Sequence, residues 1–242
     1  MESTPMNAGT VEELNLAPLP RSISRDGTMA RRAYHAIRSA VSRGDLQPAR
    51  TYSEGQVARL LDVSRTPARE ALRQLEAEGL VEIVPQRGFT LRPIPSHERE
   101  EFFVLRRLLE GYAIETICER VEPTRLEPLR ALIDRQRQTL ADRAEFIALD
   151  EAFHLAMPEL AGLPRTARFI STLRGVLWLL GTEAIYEPER RVHVLDEHAA
   201  IVDGLIAHDT RGALEALERH LISTASVLGI ELASRLTRET TP

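Results

Sequence analysis

The stretch SRTPAREALRQLEAEGL, from Ser64 to Leu80, predicts a helix with an arginine at every fourth position. Ser64 is the expected cap, a proline sits in the first turn where a missing N–H costs little, and Gly79 ends the helix. At about 100° per residue, the three arginines fall within a sector of about 80°; they are Arg65, Arg69 and Arg73. The neighbouring sector is apolar and holds Ala68, Ala71, Leu72 and Leu75. We therefore expect the arginines to project from a helix that is anchored on its apolar side.

The residues on both sides of this helix predict a winged helix-turn-helix. Two helices are predicted upstream, at about 28–43 and 54–61. The second begins with an S-x-x-Q capping box, Ser53 to Gln56. Downstream, LVEIVPQRGFTLRP has two β-rich runs around PQRG, which is typical of a hairpin. The order helix, helix, turn, helix, hairpin defines a predicted winged helix domain over residues 28–92.

This arrangement predicts a DNA-binding surface. Arginine pairs bidentately with guanine in the major groove, and a helix N-terminus attracts phosphate. Glycine at the hairpin turn permits a close approach to the DNA backbone, and an arginine beside it can reach the minor groove. The residues predicted to contact DNA are Ser64, Arg65, Thr66, Arg69, Arg73, Arg87 and Gly88. The alternative is a solvated helix face whose arginines pair with Glu70, Glu76 and Glu78; the capping box, turn and hairpin favour DNA.

The rest of the chain predicts an all-helical domain. Residues 1–27 are expected to form a flexible tail, and RPIPS supplies a linker at 93–96. Six helical stretches follow, separated by Gly162 and by prolines that include Pro158. They lie at about 96–120, 124–140, 142–157, 164–185, 188–208 and 210–236. They predict a bundle of six or seven helices over residues 97–236. The expected fold class is therefore mainly α: a winged helix-turn-helix followed by a helical bundle.

Composition and charge narrow the class of protein. The chain has 242 residues, one cysteine and a net charge of −5. Arg21 to Arg92 contains 13 Arg against 8 Asp and Glu, a balance of +5, whereas the chain from Pro93 onward has 18 Arg against 25 Asp and Glu, a balance of −7. A basic module on an acidic body suggests a polyanion-binding domain joined to a different one. A single cysteine excludes a disulfide framework, and the absence of a long apolar run or a basic, apolar start predicts a cytoplasmic protein without a membrane span.

Four polar residues are predicted to point into the helical core. Asp150 and His154 are one turn apart on an apolar face, His198 lies at the centre of another apolar stripe, and His220 lies at the edge of a third. An unpaired buried carboxylate is costly, and Asp and His are natural ligands of a divalent cation. The pattern predicts a metal site, although simple hydrogen-bonded pairs within the core remain an alternative.

A buried arginine is predicted on the first helix of this domain. Arg106 lies in the middle of the apolar face of EFFVLRRLLEGYAIETI. A buried guanidinium needs an anion. Glu110, one turn further on, is one candidate, and the carboxylate of a ligand is the other, because arginine binds carboxylates bidentately.

The N-terminal third resembles the DNA-binding domain of the GntR family of bacterial transcription regulators. The resemblance covers about Tyr34 to Ile94 and is most specific in VSRTPAREALRQLEAEGLV. It implies DNA contacts from Arg65, Thr66 and Arg69 on the recognition helix, and from Arg87 and Gly88 in the wing. Two positions depart from the family pattern. Pro48-Ala49 stands where Pro-Gly is usual, and Glu54-Gly55-Gln56 replaces Glu-Arg-Glu. Either Arg50 or Arg59 replaces the missing arginine at Gly55, or the operator is read differently.

The helical domain resembles the FCD effector domain of the FadR subfamily. The matching features are VLRRLLEGYA, Asp150-x3-His154, His198 and His220, with gaps of 4, 44 and 22 residues. The resemblance implies a divalent metal, zinc or nickel, held by these four side chains, with an open position for a small organic acid. It also implies that Arg106 holds the carboxylate of that effector, and that the domain forms a homodimer.

Together these observations predict a transcription regulator, not an enzyme. The expected protein is a homodimeric repressor or activator, with a repressor favoured, that binds a palindromic double-stranded DNA operator and, by hypothesis, releases it on binding a small carboxylate effector. A metal-dependent hydrolase is the alternative, because an Asp/His site with an open position can activate water. A third possibility is a purely structural metal without an effector, in which case replacing Arg106 would leave operator release unchanged.

Overall fold

The computed structural model describes residues 28–43, 45–47 and 50–232. The contacts divide the chain into two compact units, one ending at Pro93 and the other beginning at Ile94. The tail predicted at 1–27 and the last residues of the predicted bundle, 233–236, lie outside the described residues. In the part of the chain that is described, no helix is both long and apolar enough to cross a membrane.

The N-terminal unit is a winged helix-turn-helix, as predicted. Its elements are α1 (Met29–Arg43), β1 (Thr51–Tyr52), α2 (Glu54–Leu60), α3 (Arg65–Ala77), β2 (Val81–Val84) and β3 (Gly88–Leu91). The strands form an antiparallel sheet in the order β1-β3-β2, with Tyr52 opposite Phe89 and Val84 opposite Gly88. The core of the unit joins α1, α3 and the sheet through fully buried Ile37, Leu72 and Phe89.

Local sequence signals explain most of these boundaries. The capping box of α2 is present: Ser53 Oγ accepts from the backbone N–H of Gly55 at 3.2 Å, and Gln56 Oε1 accepts from that of Ser53 at 3.0 Å. Ser64 occupies the N-cap position of α3, but its side chain makes no capping hydrogen bond. The start of α3 therefore depends on packing, because its apolar face is buried against the rest of the unit.

Strand β1 was not predicted. It has two residues, too few for a pattern of alternation, and it exists because it pairs with β3. At the start of β3, Gly88 adopts a φ of +128°, and a Cβ atom there would lie 2.0 Å from the carbonyl oxygen of Tyr52. Glycine is required at this position because the β1 backbone occupies the place of a side chain.

The C-terminal unit is a helical bundle, also as predicted. Its described helices are α4 (Ser96–Arg120), α5 (Glu127–Gln138), α6 (Arg143–Leu160), α7 (Pro164–Thr172), α8 (Arg174–Ala184), α9 (Pro188–Ile206) and α10 (Thr210–Val227), with a 3-10 turn at Pro123–Leu126. Helices α9 and α10 pack closely at Gly204. A Cβ atom at this position would lie only 2.8 Å from the backbone nitrogen of Ala213, so the close approach requires glycine. Phe146 and Phe153 of α6 are fully buried at the centre of the bundle.

Three predicted boundaries in this unit were wrong. Pro158 does not end a helix but lies inside α6, where it removes only the hydrogen bond to the carbonyl of His154 in the last turn. The single helix predicted at 164–185 is divided at Leu173 into α7 and α8. The last helix ends at Val227, before Gly229, whose φ is +69°.

Candidate functional site

The arginine ladder lies on the exposed side of α3. Arg65, Arg69 and Arg73 are exposed, as are Ser64 and Thr66 at the start of the helix. The opposite side of α3 is buried through Ala68, Ala71, Leu72 and Leu75. The helix is thus anchored, and its cationic side faces outward.

A groove of about 390 Å³ separates the start of α3 from the hairpin of β2 and β3. Its lining brings together four of the predicted DNA-binding residues, namely Arg65, Arg69, Arg87 and Gly88, with residues 53–55 at the start of α2. Ser64, Thr66 and Arg73 do not line it. Three guanidinium groups around one concave surface make the groove a strongly cationic part of this unit, which suits a polyanion.

Arg69 has a carboxylate partner that sequence reasoning missed. Its Nε and Nη2 atoms donate to Glu54 Oε2 at 3.1 and 3.0 Å, and this hydrogen bonding and the charge of Glu54 raise the pKa of Arg69. The side chain remains 53% exposed. The pair therefore holds the Nε and Nη2 edge of the guanidinium.

Two of the glutamates considered as partners for the ladder have other roles. Glu76 accepts a hydrogen bond from the backbone N–H of Ile83 at 3.1 Å. Glu78 is buried and accepts from the hydroxyl of Tyr34 at 2.7 Å and from Gln74 at 3.2 Å. These carboxylates brace the wing and the helical core, so they do not neutralise the ladder.

Arg65 lies beside the position where the family arginine is missing. A Cβ atom on Gly55 would lie 3.9 Å from Arg65 Nη2, and both residues line the groove. Arg50 and Arg59, the replacements expected from the sequence, do not line it. The absence of a side chain at Gly55 gives the guanidinium of Arg65 room at the start of α2.

In the helical unit, three histidines from three helices meet in the core. The ligand atoms of His154 on α6, His198 on α9 and His220 on α10 lie within 4.8 Å of one another, and all three residues are buried. Asp150 joins them: its Oδ1 is 3.5 Å from His198 Nε2 and its Oδ2 is 3.9 Å from His154 Nε2. The four side chains that the sequence singled out are thus adjacent.

Each imidazole is oriented through its Nδ1 atom by a polar partner that the sequence did not reveal. The distances are 2.8 Å from His154 to Glu110 Oε2, 3.1 Å from His198 to Gln136 Oε1, and 2.8 Å from His220 to Glu197 Oε2. Because a carboxylate only accepts, Nδ1 of His154 and of His220 carries the proton, which leaves Nε2 with a free lone pair. Phe153 stacks on the ring of His198 at 4.0 Å between centroids and helps to fix its plane.

Two nitrogen atoms of this cluster are unsatisfied. Within the described residues, His154 Nε2 and His198 Nε2 are buried and have no hydrogen-bond partner. A buried polar atom without a partner is costly, and native proteins rarely keep one without a reason. Two such atoms directed toward a third imidazole and a carboxylate have the chemistry of a site for a divalent cation.

Burial controls the protonation of this cluster. It lowers the pKa of His154 and His198 well below the usual range and also lowers that of His220; the charge of Arg106 acts in the same direction on all three. Burial raises the pKa of Asp150 to about 7. Although burial alone would raise the pKa of Glu197, hydrogen bonds from His220 and Arg190 lower it to about 2. The imidazoles are therefore neutral at physiological pH, as metal ligands must be.

Arg106 is buried and forms an ion pair with Glu110. Its Nε donates to Glu110 Oε1 at 2.6 Å, and Nη2 lies 3.4 Å from Oε2. The local anion considered from the sequence is thus present. Arg106 also lines a cavity of about 10 Å³, room for about one water molecule, together with Asp150 and His220, between apolar residues such as Phe102 and Leu180. The guanidinium, Asp150 and His220 therefore face one small cavity, which His154 and His198 do not line.

A winged helix-turn-helix with a cationic groove, joined in one chain to a helical unit with a buried polar cluster, defines a class: transcription regulators with a DNA-binding domain and a separate ligand domain. The model of the bacterial regulatory proteins of the gntR family matches residues 29–91, and the model of the FCD domain matches residues 101–223. The chain belongs to the GntR family of bacterial transcription regulators and carries an FCD domain.

Similar proteins agree with this assignment. An HTH-type transcriptional regulator in an unstable DNA locus of Streptomyces ambofaciens is 30% identical over 195 residues, which cover 80% of this chain and 82% of that protein. The HTH-type transcriptional repressor NanR of Cronobacter sakazakii is 30% identical over 194 residues, covering 71% and 74%. The solved structure of Escherichia coli McbR/YncC superposes with a TM-score of 0.69 over 84% of this chain and 98% of that one, and at 21% identity it shows the same fold.

Proposed function

We propose that this GntR-family regulator is a metal-dependent sensor that releases its DNA operator when a small carboxylate binds in the helical unit. The observation that carries the proposal is the buried cluster of His154, His198 and His220, with two unsatisfied Nε2 atoms beside Asp150. In this proposal the cationic groove of the winged helix unit binds the operator, and the site at Arg106 binds the carboxylate effector.

The DNA contacts follow from the shape and charge of the groove. The exposed face of α3 enters the major groove of DNA, where Arg65 and Arg69 meet base edges or phosphates. Glu54 holds the Nε edge of Arg69, so its remaining N–H groups are directed before DNA binds. Arg87 and Gly88 contact the backbone or the minor groove at the wing. Ser64, Thr66 and Arg73 add contacts along the flanks of α3.

The residues present fit a divalent metal. Asp150, His154, His198 and His220 would hold it, and their one carboxylate and three imidazoles suit zinc or nickel. The Nδ1 partners Glu110, Gln136 and Glu197 are the kind of surrounding hydrogen bonds that orient metal-binding histidines. A metal held by these four side chains would act as a Lewis acid toward the oxygen of an organic acid. Arg106, which faces the same cavity as Asp150 and His220, would bind the carboxylate through its guanidinium.

Dimer formation is part of the proposal. One winged helix covers a half-site only, and a two-fold dimer reads a palindromic operator with twice the phosphate contacts. Helix α4 offers a surface for this contact, because Leu108 and Tyr112 are 44% and 52% exposed one turn apart. Exposed apolar side chains at this spacing are typical of a helix that packs on a partner.

The proposal is tested in two stages with the full chain. DNA selected from a random library should yield a palindromic site. Binding to this site should weaken steeply between low and moderate salt, because the release of counterions from DNA becomes less favourable as the salt concentration rises. Elemental analysis of the purified chain should find one divalent metal per chain, and His154→Ala should remove it. A panel of small carboxylates should then identify an acid that lowers operator binding by the wild type. Failure of the whole panel together with a metal-free wild-type protein would overturn the proposal.

A further inference from the structure

One carboxylate connects Arg106, which lines the cavity, to the buried histidine cluster. Glu110 is fully buried on α4. Its Oε1 accepts from Arg106 Nε at 2.6 Å, and its Oε2 lies 2.8 Å from His154 Nδ1. The three side chains form a hydrogen-bond series. It begins at Arg106, which faces the cavity, and ends at His154, whose Nε2 atom has no partner among the described residues.

A second glutamate in the same unit makes a similar pair of bonds without facing the cavity. Glu197 Oε2 lies 2.8 Å from His220 Nδ1, and the Glu197 carboxylate also accepts from Arg190 at 2.8 and 2.9 Å. Arg190 does not line the cavity that contains Arg106, Asp150 and His220. Glu197 therefore orients a histidine and neutralises an arginine as Glu110 does, but its arginine is not available to a ligand.

We propose that Glu110 is a positioning residue that couples carboxylate binding at Arg106 to metal binding at His154. The inference rests on the proposed function, since it concerns the same metal and the same effector. It adds the residue through which the two ligands affect each other.

The direction of the coupling follows from charge. Glu110 neutralises Arg106 through Nε and Nη2, so an incoming carboxylate must compete with it for the guanidinium. When His154 Nε2 ligates a cation, its Nδ1–H becomes a stronger donor and draws the negative charge of Glu110 toward the imidazole. Arg106 is then less neutralised and binds an external carboxylate more tightly. Metal therefore favours effector, and by linkage effector favours metal.

The test uses Co²⁺ as the metal probe and acetate as the carboxylate probe, with the visible absorption of bound Co²⁺ as the signal. Glu110→Gln keeps an acceptor for His154 but loses the charge that neutralises Arg106. It should weaken Co²⁺ binding about tenfold or more, as loss of a charged histidine partner does. It should also tighten acetate binding to the Co²⁺-loaded chain about tenfold, the value of one charge-assisted hydrogen bond.

Glu197→Gln is the matched control, because it makes the same chemical change at a second histidine. It should weaken Co²⁺ binding as Glu110→Gln does, yet leave acetate binding unchanged. A cycle with Arg106→Met gives a further readout: in that background, Glu110→Gln should no longer alter acetate binding. Equal acetate affinities for the wild type and Glu110→Gln, or equal gains in both glutamine variants, would overturn the inference.

Arg106→Met alone keeps the inference testable if Glu110→Gln does not fold. With its competing cation gone, Glu110 acts on His154 only, so this variant should bind Co²⁺ more tightly than the wild type while losing acetate. Weaker Co²⁺ binding would contradict the coupling. A wild-type chain that bound no Co²⁺ would overturn the proposed metal site as well. If the wild type binds Co²⁺ and Glu110→Gln has the same Co²⁺ and acetate affinities as the wild type, this inference alone is overturned.

Discussion

Asp150→Asn should make the metal-free chain more stable at alkaline pH. Asp150 is 6% exposed and faces His154 and His198 rather than water. Burial, which outweighs the nearby charge of Arg106, raises the pKa of its carboxyl from 3.8 to about 7 in the folded chain. Without a metal, folding therefore favours the neutral acid, and ionisation of this group opposes folding.

The sign and size of the effect follow from the two pKa values. Below pH 3.8 the carboxyl is neutral in both the folded and the unfolded chain, so it has no effect on stability. As the pH rises toward 7, the unfolded chain loses the proton first and stability falls. Above pH 7 the loss is complete, and a shift of about three units corresponds to about 4 kcal/mol. Asparagine has the same shape and does not ionise, so it removes this loss.

The assay is urea unfolding of the metal-free wild type and Asp150→Asn across this range of pH. The buried histidines have lowered pKa values and lose stability in the opposite direction, as the pH falls below 6.5, but they do so in both proteins. The difference between the two free energies of unfolding thus reports Asp150 and should grow by about 4 kcal/mol from acid to alkaline pH. Asp203→Asn, an exposed change on α9, should follow the wild type. A difference that does not change with pH would refute the reasoning.

Three further predictions concern the groove, the wing and the metal. Arg69→Ala should weaken operator binding about 5- to 150-fold in a fluorescence anisotropy titration if Arg69 reads a base. Arg211→Ala removes a similarly paired and exposed arginine on α10 and should leave operator binding unchanged. Gly88→Ala should destabilise the winged helix unit by about 1–3 kcal/mol in urea unfolding, since the new Cβ would collide with the carbonyl of Tyr52; an unchanged unfolding midpoint would contradict this. Free Zn²⁺ at about one hundred times its Kd should raise the free energy of unfolding by about 2.7 kcal/mol, and His198→Ala should abolish that gain in a calorimetric scan.

The elements that the sequence predicted well are those defined by neighbouring residues. The capping box at Ser53 and Gln56, the apolar face of α3 and the hairpin each depend on contacts within a few residues, so their patterns are visible in the sequence. Strand β1 was missed because it forms only through pairing with β3, far along the chain. Pro158 was misinterpreted because it costs α6 one backbone hydrogen bond, and the rest of the helix remains formed as far as Leu160.

The same distinction separates the site residues that were predicted from those that were missed. Asp150, His154, His198 and His220 were visible because each interrupts an apolar stripe on its own helix. The partner of each histidine lies on a different helix. Glu110 is 44 residues from His154, Gln136 is 62 from His198, and Glu197 is 23 from His220. Glu54 is likewise 15 residues from Arg69. Periodicity shows which way a side chain points, but only the fold shows what it meets.

The cost of the polar cluster is itself an argument for a ligand. A bundle core filled with apolar side chains would be more stable than one that buries an ionisable carboxyl and two imidazole nitrogens without partners. The helical unit retains them at the centre of its packing, beside Phe153, where every atom affects stability. A cation bound between these side chains would offset this cost, because binding to the folded state alone stabilises it. Arg106 differs, since Glu110 already satisfies it in the absence of any ligand. The two groups thus differ in the metal-free chain: the histidine nitrogens lack partners among the described residues, whereas a carboxylate that bound Arg106 would have to compete with Glu110.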